Sequence, residues 1–280
     1  MWRVPENLGN LRLQRRKPVP LVCVESRQCW RVSAIIQKPM DETDPKITGI
    51  YDKGTVEQYY ATVGKDVVKE KGEGADAFLM GLIPQYLTGR IVIDLGCGNG
   101  RYAEVMSSRG AKKVTGIDLS ESMTEQAQIR KVEKQLDNVE IVCADMDSLR
   151  LASGSVDLVF ARFSLMYTVK LAQVVTSLSQ ALSPKGEMLV ETSVVDFVDP
   201  THETEVKKSS VPLELKVGET SVQIENFAYS MDDYLTAFHQ AGLTVEVSKR
   251  FPPHNLSIVD GYKFKDAIKF GYVVFKLVKE

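Results

Sequence analysis

Five residues, Gly96-Cys97-Gly98-Asn99-Gly100, separate a short apolar run, Arg90 to Leu95, from a segment with helical spacing, about Arg101 to Ser108. Glycines here let the backbone turn sharply and approach a ligand closely, and the helix that follows offers free N–H groups at its start. A dinucleotide fingerprint needs Gly or Ala three residues after the second glycine, but that position is Arg101. A Walker-type phosphate loop needs Gly-Lys-Ser/Thr, which is absent. The distinguishing residue is Asp94, an acid two positions before the first glycine. A second acid, Asp118, ends the strand-like run Lys113 to Asp118, about 20 residues past the glycines, where a carboxylate can grip a ribose diol with both oxygens.

Other residues able to do chemistry are few. Among the 3 histidines, His239 sits in a helical segment, whereas His202 and His254 fall in loops after the fifth and sixth strands. Tyr167, in a loop after the fourth strand, is a third candidate base or substrate contact. Cys23 and Cys29 have no partner pair at zinc spacing, so no metal site is expected. Cys97 and Cys143 read as small apolar fillers beside the glycine loop.

The elements that position these residues alternate. Helices are expected at Tyr51 to Val63 and Ala75 to Leu87, then strands at Arg90 to Leu95 and Lys113 to Asp118 around the helix Arg101 to Ser108. A helix from Glu121 to Leu136, with Ser120 as N-cap, leads to strands at Val139 to Ala144 and Val156 to Ala161. In Lys170 to Leu182 the residues Leu171, Val174, Val175, Leu178 and Leu182 form one helical face; Pro184-Lys185-Gly186 then turns into a strand at Glu187 to Thr192. Strands alternating with helices in this way imply βαβ units and a parallel sheet. Beyond Val194, a hairpin of Leu213 to Val217 and Val222 to Phe227 is expected, then a helix Asp232 to Ala241 and strands near Leu243 to Ser248 and Lys269 to Leu277. The fold class is α/β.

Composition bounds the partners. The 280 residues are 44% hydrophobic and 26% charged, ordinary for a soluble globular protein, and no apolar run approaches the roughly 18 to 20 residues that span a bilayer. Four cysteines are too few for a disulfide scaffold, and an intracellular, cytoplasmic setting is expected. The formal charge of −2 disfavours a globally basic nucleic-acid binder, yet it conceals a seam. Residues 1–39 carry +6 and the remaining chain −8. This basic segment, broken by Pro5, Pro18, Pro20 and Pro39, is followed by Met40 and an acidic run, Asp41-Glu42-Thr43-Asp44. Three readings stand open: a disordered or loosely attached arm over 1–45, sequence upstream of a natural start at Met40, or an organelle transit peptide, although it is poor in Ser.

Asp94-Leu95-Gly96-Cys97-Gly98-Asn99-Gly100 resembles the first motif of class I S-adenosylmethionine-dependent methyltransferases. Three more matches follow in the family's order. Gly116-Ile117-Asp118-Leu119-Ser120 through Met123 resembles the second-strand motif, and Cys143-Ala144-Asp145-Met146 resembles the adenine-contacting one. Val156 to Ala161, with Leu182-Ser183-Pro184-Lys185-Gly186 behind it, resembles the fourth strand and its following turn. The resemblance covers about residues 50 to 195 well and the rest loosely.

It implies a Rossmann-like, seven-stranded, mostly parallel sheet with helices on both faces, an antiparallel last strand and an inserted β-ribbon. The implied domain is 46–280, with lid helices at 46–89 and a substrate-cover insertion at 195–230. S-adenosyl-L-methionine is the implied cofactor. Its implied contacts are Tyr51, Tyr59, Asp94, Gly96, Cys97, Gly98, Asp118, Leu119, Met123, Asp145, Met146 and Arg162. Tyr51 and Tyr59 resemble a lid whose rings close over the sulfonium, through a cation–π attraction of about 0.5 to 2 kcal/mol. The chain lacks the Asn/Asp-Pro-Pro-aromatic signature of enzymes acting on exocyclic amines of nucleic acids; Phe163, Met166 and Tyr167 stand there instead. The expected function is therefore methyl transfer to O, N or C of a small metabolite, with no nucleic-acid partner and homo-oligomerisation left open. A protein or RNA methyltransferase and a non-catalytic cofactor-binding regulatory module are the alternatives.

Overall fold

The computed structural model describes residues 36–37, 74–207, 210–217, 220–252, 256–260 and 262–280. Tyr51, Tyr59 and the lid helix expected around them, His254 and most of the basic arm lie outside the described residues.

Seven strands form the central sheet: β1 (Ile91–Leu95), β2 (Lys113–Asp118), β3 (Val139–Cys143), β4 (Val156–Arg162), β5 (Leu182–Phe197), β8 (Leu243–Phe251) and β10 (Ile268–Lys279). Their order is β8-β10-β5-β4-β1-β2-β3. β1 to β5 run parallel, and β10 lies antiparallel between β5 and β8, as the motif resemblance implied. The buried strands are near-continuous apolar runs because helices cover both faces.

On one face, α1 (Ala75–Leu82) and α2 (Arg101–Ser108) pack Leu79, Met80, Tyr102 and Met106 against Val92, Val114, Leu158 and Phe160. On the other face lie α4 (Leu171–Ala181) and α5 (Met231–Gln240), whose Val174, Leu178, Tyr234 and Phe238 meet Val159, Val190, Val273 and Phe275. Each fully buried aliphatic or Phe side chain among these contributes about 1.5–3 kcal/mol. Capping fixes two helix starts. Ser120 accepts from the Met123 N–H at the start of α3 (Glu121–Glu133), and Ser230 with Asp233 makes a reciprocal capping box on α5.

Several boundaries differ from the sequence expectation, and three of them concern α1 and β5. α1 stops at Leu82, not Leu87, because the residue before Pro84 takes an extended conformation. The Pro184-Lys185-Gly186 turn lies inside β5: Leu182 already pairs with Val156, Lys185 has φ 63°, and the register shifts before Glu187 meets Leu158. β5 also runs on to Phe197, five residues past the expected end.

The insertion forms its own sheet. β6 (Ser210–Val217) and β7 (Thr220–Phe227) make the expected hairpin, and β9 (Leu256–Ile258) adds a third strand to β6. Val206, Val211, Leu213, Phe264 and Ile268 are buried where this sheet meets the extended end of β5 and the start of β10. Ile36–Gln37 of the basic segment pairs antiparallel with Arg150–Leu151, so this part of the segment adds a short strand to the domain. No described helix is long and apolar enough to cross a membrane.

Candidate active site

The chain winds one way from β1 through β2 to β3, then crosses back so that β4 lies on the other side of β1. Loops leaving β1 and β4 thus part company at the carboxyl edge, the position where open α/β sheets bind ligands. Leu95 pairs with both Ile117 and Ala161, and Asp118 with Cys143, so the ends of these four strands are level.

The glycine loop is pinned to β2. The N–H groups of Gly96 and Cys97 both donate to Ile117 O, at 2.7 and 3.0 Å. Gly96, Gly98 and Gly100 have φ of 71°, 52° and 76°, which L side chains rarely adopt. A Cβ on Gly96 would lie 2.5 Å from Ser164 Cβ, because the loop crosses directly against the turn after β4. A Cβ on Gly98 would meet nothing within 4 Å, so the backbone at the loop's apex faces open space.

Two acids stand at this loop. Asp118 Oδ2 accepts from Gly98 N–H at 2.8 Å and Oδ1 from Ser120 N–H at 2.9 Å. Each carboxylate oxygen has a second acceptor site, so these bonds aim the group without exhausting it. Burial raises the Asp118 pKa, opposed by the N–H groups of Ser120, Gly98 and Leu119. Asp94 is 2% exposed, and its Oδ2 has no hydrogen-bond partner. Burial first, and then the negative charge of Asp118, push its pKa up to about 8, while the Ala103 N–H acts in the opposite direction.

Asp94 therefore makes the ligand-free protein pH-sensitive. Between about pH 4 and 8 the folded state holds a proton on Asp94 that the unfolded chain has released, so this contribution to stability is lost as pH rises through that window. Ligand-free Asp94→Asn should melt higher than the wild type at pH 8, with the gap closing towards pH 5. Thermal melts at the two pH values check this, and a gap that widens on acidification would refute it.

The remaining loop residues fall in place around these acids. Met123 is buried on α3, and Leu119 is half-buried, its carbonyl accepting from the Cys143 thiol at 3.5 Å. Asp145 caps a helical turn at Met146–Ser148: its Oδ1 accepts from Asp147 N–H at 2.9 Å. Met146 packs against the core beneath. Cys97 is buried, and burial with the two nearby acids pushes its thiol pKa up, which suits a packing role better than a reactive one.

A network that motif reading missed lies beside them. Arg162 Nε binds Glu191 Oε2 at 2.8 Å and lies 3.5 Å from Asp76 Oδ1, while Tyr102 donates its hydroxyl to Asp76. The guanidinium also lies over the Phe163 ring at 4.7 Å, and Phe163 packs edge-on against Tyr272 at 4.9 Å. Phe163 has φ 48°, uncommon for an aromatic residue, and its N–H donates to Glu191 O at 2.7 Å. The Nε of Arg162, expected among the cofactor contacts, is thus committed to Glu191. Glu191 is 1% exposed, and burial raises its pKa despite Arg162. Its one sequence signal was an acid inside the apolar run Met188 to Val195.

Tyr167 is half-buried in the 3-10 turn Leu165–Tyr167 after β4, near Tyr272. His202 is not brought to this cluster. β5 carries the chain about 20 Å past Glu191 before the turn Pro200–His202 begins. The imidazole pairs there with Asp199 at 3.6 Å and packs on Phe264 in the inserted sheet's core. His239 is exposed on α5.

This geometry has relatives. Residues 93–190, from β1 to the residue before Glu191, match the family described as a methyltransferase domain. The chain carries a class I S-adenosylmethionine-dependent methyltransferase domain. S-adenosylmethionine is the cofactor of this enzyme domain. The chain is 29% identical over 172 residues to a protein of Mycolicibacterium smegmatis described as a probable S-adenosylmethionine-dependent methyltransferase, covering 61% of this chain and 63% of that one. It is 30% identical over 106 residues to protein arginine N-methyltransferase 1 of Schizosaccharomyces pombe, covering 37% and 31%. It thus spans less than two thirds of either relative. Among solved structures, geranyl diphosphate C-methyltransferase from Streptomyces coelicolor superposes with a TM-score of 0.56 at 17% identity, covering 86% of this chain and 90% of that one.

The methyltransferase domain has residues that fit the cofactor. The open apex at Gly98 admits close backbone approach, Asp118 retains acceptor capacity for a diol, and the unpartnered Asp94 Oδ2 presents an acid near a site for a cation.

Proposed function

We propose that the chain transfers a methyl group from S-adenosylmethionine to O, N or C of a small metabolite. The observation that carries this reading is the cover over the carboxyl edge. The inserted sheet of β6, β7 and β9 closes on β5 and β10 through the buried set Val206, Val211, Leu213, Phe264 and Ile268. A compact apolar cover favours a metabolite over a macromolecule, and the geranyl diphosphate enzyme, which shares the fold, acts on a small molecule.

Asp118 is assigned to the ribose hydroxyls, the Gly96–Gly100 loop to close backbone approach, and Asp145 with Met146 to the adenine end. Leu119 and Met123 flank the adenine, and Cys97 fills space under the loop. When bound, the cofactor supplies an electrophilic methyl on a sulfonium whose positive charge disappears during transfer. The protein's part is to place the nucleophile in line with that methyl and to exclude water. Phe163, Met166 and Tyr167 are assigned to the apolar wall that does so, and Arg162, clamped by Glu191, to holding Phe163 in its left-handed conformation. Tyr167 remains the described candidate for a base or substrate contact; Tyr51, Tyr59 and His254 are proposed contacts outside the described residues.

The arginine methyltransferase match favours a second reading, a protein substrate. Incubation with methyl-tritiated cofactor and fractionated cell extract separates the two. Label in the small-molecule fraction is expected; label confined to protein or RNA would overturn the metabolite reading.

A further inference from the structure

Asn226, near the end of β7, is 2% exposed, and its Oδ1 has no hydrogen-bond partner. Its amide donates to Ser193 Oγ at 3.2 Å. The orientation of that amide follows from its neighbour. The Ser193 hydroxyl donates to Met166 Sδ, 3.4 Å away, and accepts from the Asn226 amide, which leaves the amide oxygen without a partner. Asn226 is therefore held by its nitrogen with its acceptor left over.

The surroundings place that acceptor at the wall assigned to the substrate. Met166 belongs to the turn after β4, between Ser164, which crosses Gly96, and Tyr167. Ser193 lies two residues past Glu191 on the same face of β5 and opposite Tyr272 on β10, whose ring packs on Phe163. The inserted sheet thus brings the Asn226 amide to Ser193, which touches Met166 and pairs across the sheet with Tyr272. A buried amide oxygen without a partner is destabilising, a cost that a bound donor removes. The hairpin's other inward residues need no such partner: Val211, which pairs with Asn226, and Leu213 are apolar and buried.

We propose that Asn226 is a substrate-recognition residue whose Oδ1 accepts a hydrogen bond from an O–H or N–H group of the methyl acceptor. This rests on the metabolite reading above and sharpens it. The acceptor carries a hydrogen-bond donor seated against an apolar body, and analogues lacking that donor are rejected because they leave the oxygen unpaired. Sites built around a buried polar contact discriminate strongly in this way.

The test compares wild type, Asn226→Leu and Asn226→Asp, using methyl-tritiated cofactor and the small-molecule fraction of cell extract. Calorimetric cofactor affinity and ligand-free melting temperature are measured on the same preparations. Asn226→Leu is expected to lose about 100-fold or more of the label incorporated per unit time, with cofactor affinity changed by less than about twofold. Its ligand-free melting temperature should not fall, because an unsatisfied polar group has been removed. Asn226→Asp keeps an acceptor but loses the N–H that holds the side chain on Ser193, so its activity should lie between those of wild type and the leucine variant. Should the leucine variant not fold, Asn226→Ser, whose hydroxyl is too short to reach the same point, carries the same expectation of loss. Near-wild-type labelling of the small-molecule fraction by the leucine variant overturns the role of Asn226 and leaves the metabolite reading standing. Wild-type label found only in macromolecules overturns that reading, and the inference falls with it.

Discussion

Asp118→Ala should weaken S-adenosylmethionine binding by tenfold or more, about 1.4 kcal/mol or above, measured calorimetrically. Two effects add. The variant loses an acceptor for the ribose hydroxyls, and it frees the Gly98 N–H that Asp118 Oδ2 holds at 2.8 Å, so the loop apex is no longer fixed for close approach. Asp118→Asn separates them: one amide oxygen can still hold Gly98 while the paired acceptor is gone, so its affinity should fall between the two. Loss of fold does not explain the expected result. Burial already raises the Asp118 pKa, which means the ionised carboxylate is not a net source of stability, and only the bonds from the Gly98, Leu119 and Ser120 N–H groups are forfeited. Unchanged affinity in the alanine variant would sink the assignment of Asp118 to the ribose.

Glu191→Ala should cost about 2–4 kcal/mol of folding stability, near the low end of the range for breaking a buried ion pair because Asp76 remains 3.5 Å from Arg162. The Arg162 side chain is 25% exposed against 2% for Glu191, so the stranded guanidinium keeps some contact with water. Glu191→Gln preserves a hydrogen-bond acceptor for Arg162 and removes a carboxylate that burial disfavours, so it should cost less than half as much. Denaturant unfolding with an unchanged m-value measures both. The functional consequence should exceed the structural one: with Arg162 loosened, Phe163 can leave its left-handed conformation and the wall beside Tyr272 opens. Methyl transfer in the alanine variant is expected to fall while cofactor affinity holds. A melting curve identical to wild type would refute the clamp.

These two substitutions probe different kinds of information. Asp118 is legible in the chain, because its position follows from local facts: a β-branched strand, a fixed distance to a glycine loop, and a helix cap two residues on. The parallel sheet and the helix with its Ser120 cap are legible for the same reason, since periods of two and 3.6 residues are set by the backbone. Boundaries were less so. Helix α1 ends early because Pro84 acts on the residue before it, and the Pro184-Lys185-Gly186 turn is absorbed into β5 because pairing with β4 extends the strand through it.

Glu191, Asp76 and Asn226 could not be read in the same way. Each acts through a partner brought near by the sheet order: Glu191 meets Arg162 because β4 and β5 are neighbours, and Asn226 meets Ser193 because the inserted hairpin folds over β5. His202 shows the converse, since a loop on the expected side of the sheet is carried away by a strand longer than its apolar pattern suggested.

The sequence by itself determined the α/β class and the glycine loop with its two acids, and the family resemblance of those motifs implied the cofactor. Those features depend on residues close together in the chain, where backbone geometry alone fixes what can meet. Only the tertiary structure decided which side chains are clamped and which buried oxygen is left without a partner. Burial and satisfaction are properties of the packed whole, and no spacing along the chain encodes them.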